Sequence, residues 1–99
     1  MVHLVRTSEM TGDWEKTWAA FSDIIKYVGQ NYDQVKESYL MTNIAGPIDK
    51  VHWVLSFETL ADEEDFAIKV FQDSRYMESM KSLEGLLTPP VDRLYRRET

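Results

Sequence analysis

Trp14, Trp18, Phe21, Ile25, Val28 and Tyr32 follow one another at spacings of 4, 3, 4, 3 and 4 residues. That rhythm matches the turn of an α-helix and sets six large apolar side chains on one stripe. Glu15, Lys16, Asp23, Lys26 and Gln30 fall off the stripe, where water can reach them. The pattern does not persist for enough heptads to make a coiled-coil seam. A helix with so broad an aromatic face must lay it on another layer, and a sheet is the cover this chain supplies. Trp14 and Trp18 are therefore expected in the core. Asp13 or Thr11 is expected to cap the start of the helix, and Gly29 to mark its end.

Strand-like segments surround this helix. VHLVRTS at 2–8 is rich in apolar and β-branched types, and VKESYLMTNI at 35–44 and KVHWVLSFE at 50–58 alternate. AGPID at 45–49 carries the turn chemistry that joins the last two into a hairpin. The acidic run in TLADEED has a structural explanation. Thr59 with Asp62 three residues on resembles a capping box, and the acids that follow suit the positive end of a helix. Phe66, Val70 and Phe71 supply the apolar face of that helix. DSR at 73–75 interrupts it, because Asp and Ser are better caps than mid-helix residues. A further helical piece is expected over 75–84, with Tyr76, Met80, Leu83 and Leu87 in register, ended by Gly85 and Pro89–Pro90. VDRLYRR at 91–97 reads as a final strand.

Strand, helix, strand, strand, helix, strand is the split βαβ order of a ferredoxin-like α+β fold. It implies a four-stranded antiparallel sheet, helices on one face, and the second and fourth strands at the edges. Ninety-nine residues suit one domain spanning 1–99. No cysteine is present, which excludes disulfides and thiolate sites. The net charge of −6 argues against nucleic-acid binding, and RLYRR at 93–97 alternates like a strand face. No leader or long apolar run stands out, so a cytoplasmic location away from membranes is expected.

The sheet has a second face to account for. In 50–58, Val51, Trp53, Leu55 and Phe57 are expected to meet the helices, leaving His52, Val54, Ser56 and Glu58 on the far side. Tyr39, Met41 and Asn43 join that far side from 35–44. Such a face is too apolar to stay wet. Two copies packed through it would make a closed barrel and shield the edge strands.

With these residues in place, the chain resembles the dimeric α/β-barrel superfamily, in particular small NIPSNAP-like and antibiotic-biosynthesis-monooxygenase-like proteins. The likeness is sharpest in KVHWVLSFETLADEEDF and in FQDSRYMESM, where an Asp-x-x-Tyr opens a helical piece. It implies a homodimer with a cavity of small-molecule size per subunit. The chemistry of such proteins ranges over cofactor-free oxygenation, haem degradation, isomerisation and peroxidation, so the fold leaves the reaction open. The haem-degrading branch takes an axial histidine from the second helical region, and residues 61–87 contain none. Trp53 lies on the strand that carries that branch's tryptophan, but its parity turns it toward the helices.

Candidate site residues come from the far face. His52 and His3, on strands read as parallel neighbours, make a candidate proton-transfer pair. Alternatively, each imidazole completes a polar cluster or bonds across a dimer interface. Tyr39, Asn43, Arg93 and Tyr95 are candidates to hold an oxyanion, against a plainer reading as packing residues and an edge charge. Two histidines and Glu58 are too spread along the strand for a metal site, and no cofactor is expected. Three functions follow. The first is a homodimer binding a small organic molecule between its sheets, with His3, Asn43, Ser56 and Arg93 lining the space. The second is a cofactor-free monooxygenase or isomerase using His52 with Tyr39 or Tyr95. The third is a structural or regulatory dimer whose barrel is filled.

Overall fold

The computed structural model describes residues 1–99. Its elements run β1 (Val2–Glu9), α1 (Trp14–Asn31), β2 (Glu37–Thr42), β3 (Lys50–Phe57), α2 (Leu60–Phe71), α3 (Ser74–Lys81) and β4 (Val91–Arg96). The strands form one antiparallel sheet in the order β2-β3-β1-β4. The two longest strands are central and the six-residue strands are at the edges. This is the ferredoxin-like α+β arrangement expected from the element order.

Each helix starts on a side chain that satisfies a free backbone N–H. Asp13 Oδ1 accepts from Lys16 N at 3.0 Å, Thr59 Oγ1 from Asp62 N at 3.1 Å, and Asp73 Oδ1 from Tyr76 N at 3.1 Å. Asp73 thus breaks the second helical region in two, as the DSR stretch predicts.

The core lies between the helices and one face of the sheet. Val51, Trp53, Leu55 and Phe57 of β3 are all buried there against Phe21, Ile24 and Val28 of α1 and Phe66, Val70 and Tyr76 of α2 and α3. The aromatic rings meet edge to face. Phe21 approaches Trp53 at 6.1 Å, and Phe66 approaches Tyr32 at 5.2 Å and Tyr76 at 6.2 Å, the geometry that ring quadrupoles favour.

Two expectations about α1 need correction. Trp14 is 46% exposed and Trp18 only partly buried, the two rings packing edge-on against each other at 5.6 Å. The buried stripe instead runs Thr17, Phe21, Ile24, Val28. It keeps the same 4, 3, 4 rhythm and shares Phe21 and Val28 with the expected stripe, but takes Thr17 in place of Trp18 and Ile24 in place of Ile25. A threonine can sit there because its hydroxyl donates to Asp13 O at 2.8 Å, leaving only its methyl to pack. Gly29 lies inside the helix rather than at its end. α1 continues to Asn31, and Tyr32 N closes it by donating to Val28 O at 3.0 Å.

Candidate functional site

The open face of the sheet carries the residues that the sequence singles out. Register places them in rows: Glu37, Ser56, His3 and Tyr95; then Tyr39, Val54, Val5 and Arg93; then Met41, His52, Thr7 and Val91. The parity reading of β2 and β3 therefore holds. The pairing of the histidines does not. β1 and β3 run antiparallel, so His3 faces Ser56 while His52 faces Thr7, four residues further along. At about 3.3 Å per residue the imidazoles stand roughly 13 Å apart along the strand.

Each histidine instead closes its own small polar cluster. His3 Nδ1 is 2.7 Å from Ser56 Oγ. His52 Nδ1 is 2.8 Å from Thr7 Oγ1, and its Nε2 is 2.8 Å from Asn43 Oδ1. The amide of Asn43 is oriented by its own donation from Nδ2 to Pro47 O at 2.8 Å. A carbonyl can only accept, so Asn43 Oδ1 must accept from Nε2–H of His52, and Nδ1 then accepts from the Thr7 hydroxyl. Both ring nitrogens are engaged, and taking a proton from a substrate would require breaking one of these bonds. Of the two tyrosines expected as alternatives beside His52, Tyr39 is its diagonal neighbour, whereas Tyr95 sits beside His3 at the far end of the sheet. Arg93, opposite Val5, stands on the edge strand in the row between the two clusters.

Concave, half-open space lies on the other side. Two cavities of about 410 and 300 Å³ open between the sheet and the α2–α3 layer, and Arg6, Met77 and Met80 line both. Together they make a two-lobed cleft. Phe21, Trp53, Leu83 and Leu87 wall the larger lobe, and Leu4, Leu55, Phe66 and Val70 wall the smaller. These volumes fall in the range of sites for small organic molecules.

Arg6 is the polar centre of the cleft. It is placed on the core side of a central strand, across from Trp53, and its Cζ lies 5.9 Å from the Trp53 ring centre. Nε and Nη2 donate to the two carboxylate oxygens of Asp92, on edge strand β4, at 2.8 and 3.0 Å. Burial alone would lower the pKa of Arg6, but the bond to Asp92 and the nearby Tyr76 phenol outweigh it, so the guanidinium stays charged. Burial raises the Tyr76 phenol, and Arg6 pulls it partly back. Tyr76 is thus a neutral donor beside a fixed cation. Glu63, at the smaller lobe, is raised by burial first and then by Glu64 and Asp92.

The loop after α3 closes the larger lobe and is stapled to the end of β1. Thr88 N donates to Glu9 O and Glu9 N donates to Thr88 Oγ1, both at 2.9 Å. Gly85 takes φ +79° within that loop, a conformation suited to glycine. Gly12 passes so close that a Cβ there would lie 2.6 Å from Leu86 Cδ2 and 3.0 Å from Leu86 Cα. Behind the lobe, Trp53 Nε1 donates to Ser38 Oγ at 2.9 Å, which lets the indole be buried without an orphaned N–H.

Arg6, Trp53, Tyr76 and Asp92 were not among the residues expected to form the site. Arg6 and Asp92 had a readable signal: each is a charge two residues from a leucine on the helix side of its strand, Leu4 for Arg6 and Leu94 for Asp92. Their junction across β1 and β4 and the cleft in front of them depend on how the helices pack.

No family model matches the chain, and no curated protein matches it. Solved structures do share its fold. SnoaB, a cofactor-independent oxygenase from Streptomyces nogalater, superposes with a TM-score of 0.79 at 9% identity, over 99% of this chain and 93% of its own. An uncharacterized NIPSNAP domain protein from Burkholderia xenovorans does so with a TM-score of 0.76 at 13% identity, over 99% and 95%. A dimeric protein of unknown function with a ferredoxin-like fold, from Bacteroides fragilis, gives 0.68 at 12% identity, over 97% and 96%. NIPSNAP and antibiotic-biosynthesis-monooxygenase proteins, the kinds that the sequence resembles, are both among the structural neighbours. At such identities the likeness is one of fold.

Proposed function

We propose that this protein binds a small, largely apolar organic molecule in the cleft between its sheet and its helices, and that two copies pair through their open sheet faces. One observation carries the binding reading: a two-lobed, mostly apolar cleft has one charged group common to both lobes, Arg6. Sequence reasoning placed the binding space between two sheets; the cavities of a single chain lie on the opposite side of β1 and β3. The open face supports the pairing instead. Tyr39, Met41, Val91 and Tyr95 stay exposed on it, around histidines that are already satisfied.

Titration with a naphthalene probe, read by quenching of tryptophan fluorescence, tests the binding. One saturable site per chain is expected. Met80→Trp, which fills the wall shared by the lobes, should abolish it, while Met41→Trp on the open face should leave it intact. Binding that survives Met80→Trp refutes the assignment. Sedimentation at micromolar concentration tests the pairing, and a monomer refutes it.

A second reading is supported by the donors in the cleft. Arg6 and Tyr76 present a cation and a neutral phenol to the same space, an arrangement that stabilises charge developing on a carbonyl or phenolic oxygen. A cofactor-free monooxygenase or isomerase acting there would use these two groups rather than His52, Tyr39 or Tyr95. Substrate-dependent oxygen uptake that is lost in Tyr76→Phe tests it; uptake unchanged by that substitution removes the role.

A further inference from the structure

We infer that the ligand of this cleft is an apolar carboxylic acid, its carboxylate on the free edge of Arg6 in the larger lobe and its apolar body along Trp53 and Met80. This rests on the reading of the cleft as the binding site and names the class of molecule it takes.

The argument begins with the guanidinium. Asp92 occupies only the Nε and Nη2 edge of Arg6. Nη1 makes no hydrogen bond of ordinary geometry. No side-chain nitrogen or oxygen of the chain is sealed from solvent without a partner, so Nη1 is open to solvent, on a residue that lines both lobes and has the Tyr76 phenol as its other polar neighbour. The Nη1–Nη2 edge is the fork that takes a carboxylate through two parallel bonds.

Charge then decides between the lobes. The smaller lobe sets Asp92 and Glu63 against Arg6, and two carboxylates against one cation repel an incoming acid. The larger lobe sets Arg6 and Lys81 against Glu84. It is the side with a positive balance, and Asp92 does not line it. Apolar walls complete the specificity. Phe21, Trp53, Leu83 and Leu87 surround the larger lobe, so the anion must be carried on an apolar frame.

An ion pair as open to water as Arg6–Asp92, with side chains 24% and 43% exposed, adds little to stability. A cation on the core side of a central strand, with one edge left open into a cavity, is therefore better suited to recognition than to holding the fold.

The experiment compares 2-naphthoic acid with 2-naphthamide, which share a frame and differ in charge. On the wild-type protein the acid should bind at least tenfold more tightly than the amide. Asp92→Asn removes the competing carboxylate while keeping a hydrogen-bonding side chain, and should tighten the acid severalfold with the amide unchanged. Arg6→Gln should erase the preference for the acid, and Lys81→Met should reduce it. Thermal melts establish that each variant is folded; if Arg6→Gln is not, the opposite-sign effect of Asp92→Asn decides the matter. Equal binding of acid and amide, or an acid affinity unmoved by Asp92→Asn, overturns the inference and leaves the cleft as a site for neutral molecules. Absence of binding by either compound overturns the cleft reading itself.

Discussion

Replacing Asp73 with alanine should remove the clasp that ties α3 to α1. One carboxylate there accepts three bonds: from Tyr76 N at 3.1 Å, from the Tyr27 hydroxyl at 2.7 Å, and from the Tyr32 hydroxyl. Loss of the N-cap costs about 1 kcal/mol. The buried Tyr32 hydroxyl then loses a charge-assisted partner, worth about 1.5 kcal/mol. The sum is about 2.5 kcal/mol, which for a chain of this length lowers Tm by roughly 10–20 °C. Asparagine caps as well as aspartate, so Asp73→Asn should be milder by about 1 kcal/mol.

The pH dependence follows from the same clasp. Hydrogen bonding from Tyr32 holds the Asp73 carboxyl below its ordinary range, with burial opposing and Tyr27 and the backbone of α3 assisting. A depressed carboxyl stabilises the fold above its unfolded pKa, and that stabilisation fades as pH falls through the folded value. Tyr32 is shifted the other way, upward, by burial first and Asp73 second. A raised phenol stabilises the fold below its unfolded pKa and loses that effect as pH climbs beyond about 10. Asp73→Ala should flatten both limbs. Urea unfolding followed by tryptophan fluorescence reads the change as a shift in midpoint at constant slope. A loss under about 1 kcal/mol for Asp73→Ala, with both pH limbs unaltered, would refute the reasoning.

Three further outcomes are expected. Ser38→Ala should cost about 1–3 kcal/mol in urea unfolding, because it leaves Trp53 Nε1–H buried without a partner. Gly12→Ala should destabilise by about 1–3 kcal/mol by pressing on Leu86, and faster proteolysis within 82–90 would report the loosened wall. His52→Ala should free the Asn43 side chain and speed amide exchange in the β2–β3 turn, while binding in the cleft is unchanged; lost binding would return His52 to the site.

The order of elements, the four-stranded sheet and the assignment of faces on β2 and β3 were legible in residue types alone. Period-2 and period-3.6 patterns report which side of an element is apolar, and caps such as Thr59 and Asp73 act within a few residues of themselves. The aromatic stripe of α1 misled at its start. Thr17 and Trp18, like Ile24 and Ile25, lie on neighbouring stripes of similar rhythm, and only the crossing of the helix over the sheet decides which one is buried. Strand direction decided more. Antiparallel pairing of β1 and β3 sent His3 and His52 to opposite ends, where local partners satisfied them. It also set Arg6 across from Trp53 and, through β4, beside Asp92. Those contacts join residues up to 86 positions apart, and no local pattern encodes such a distance. The sequence by itself determined which faces had to be covered, because burial of apolar surface is a property of each side chain. Only the tertiary structure decided where the covering left a gap, because a cavity is the space that neighbouring elements fail to fill.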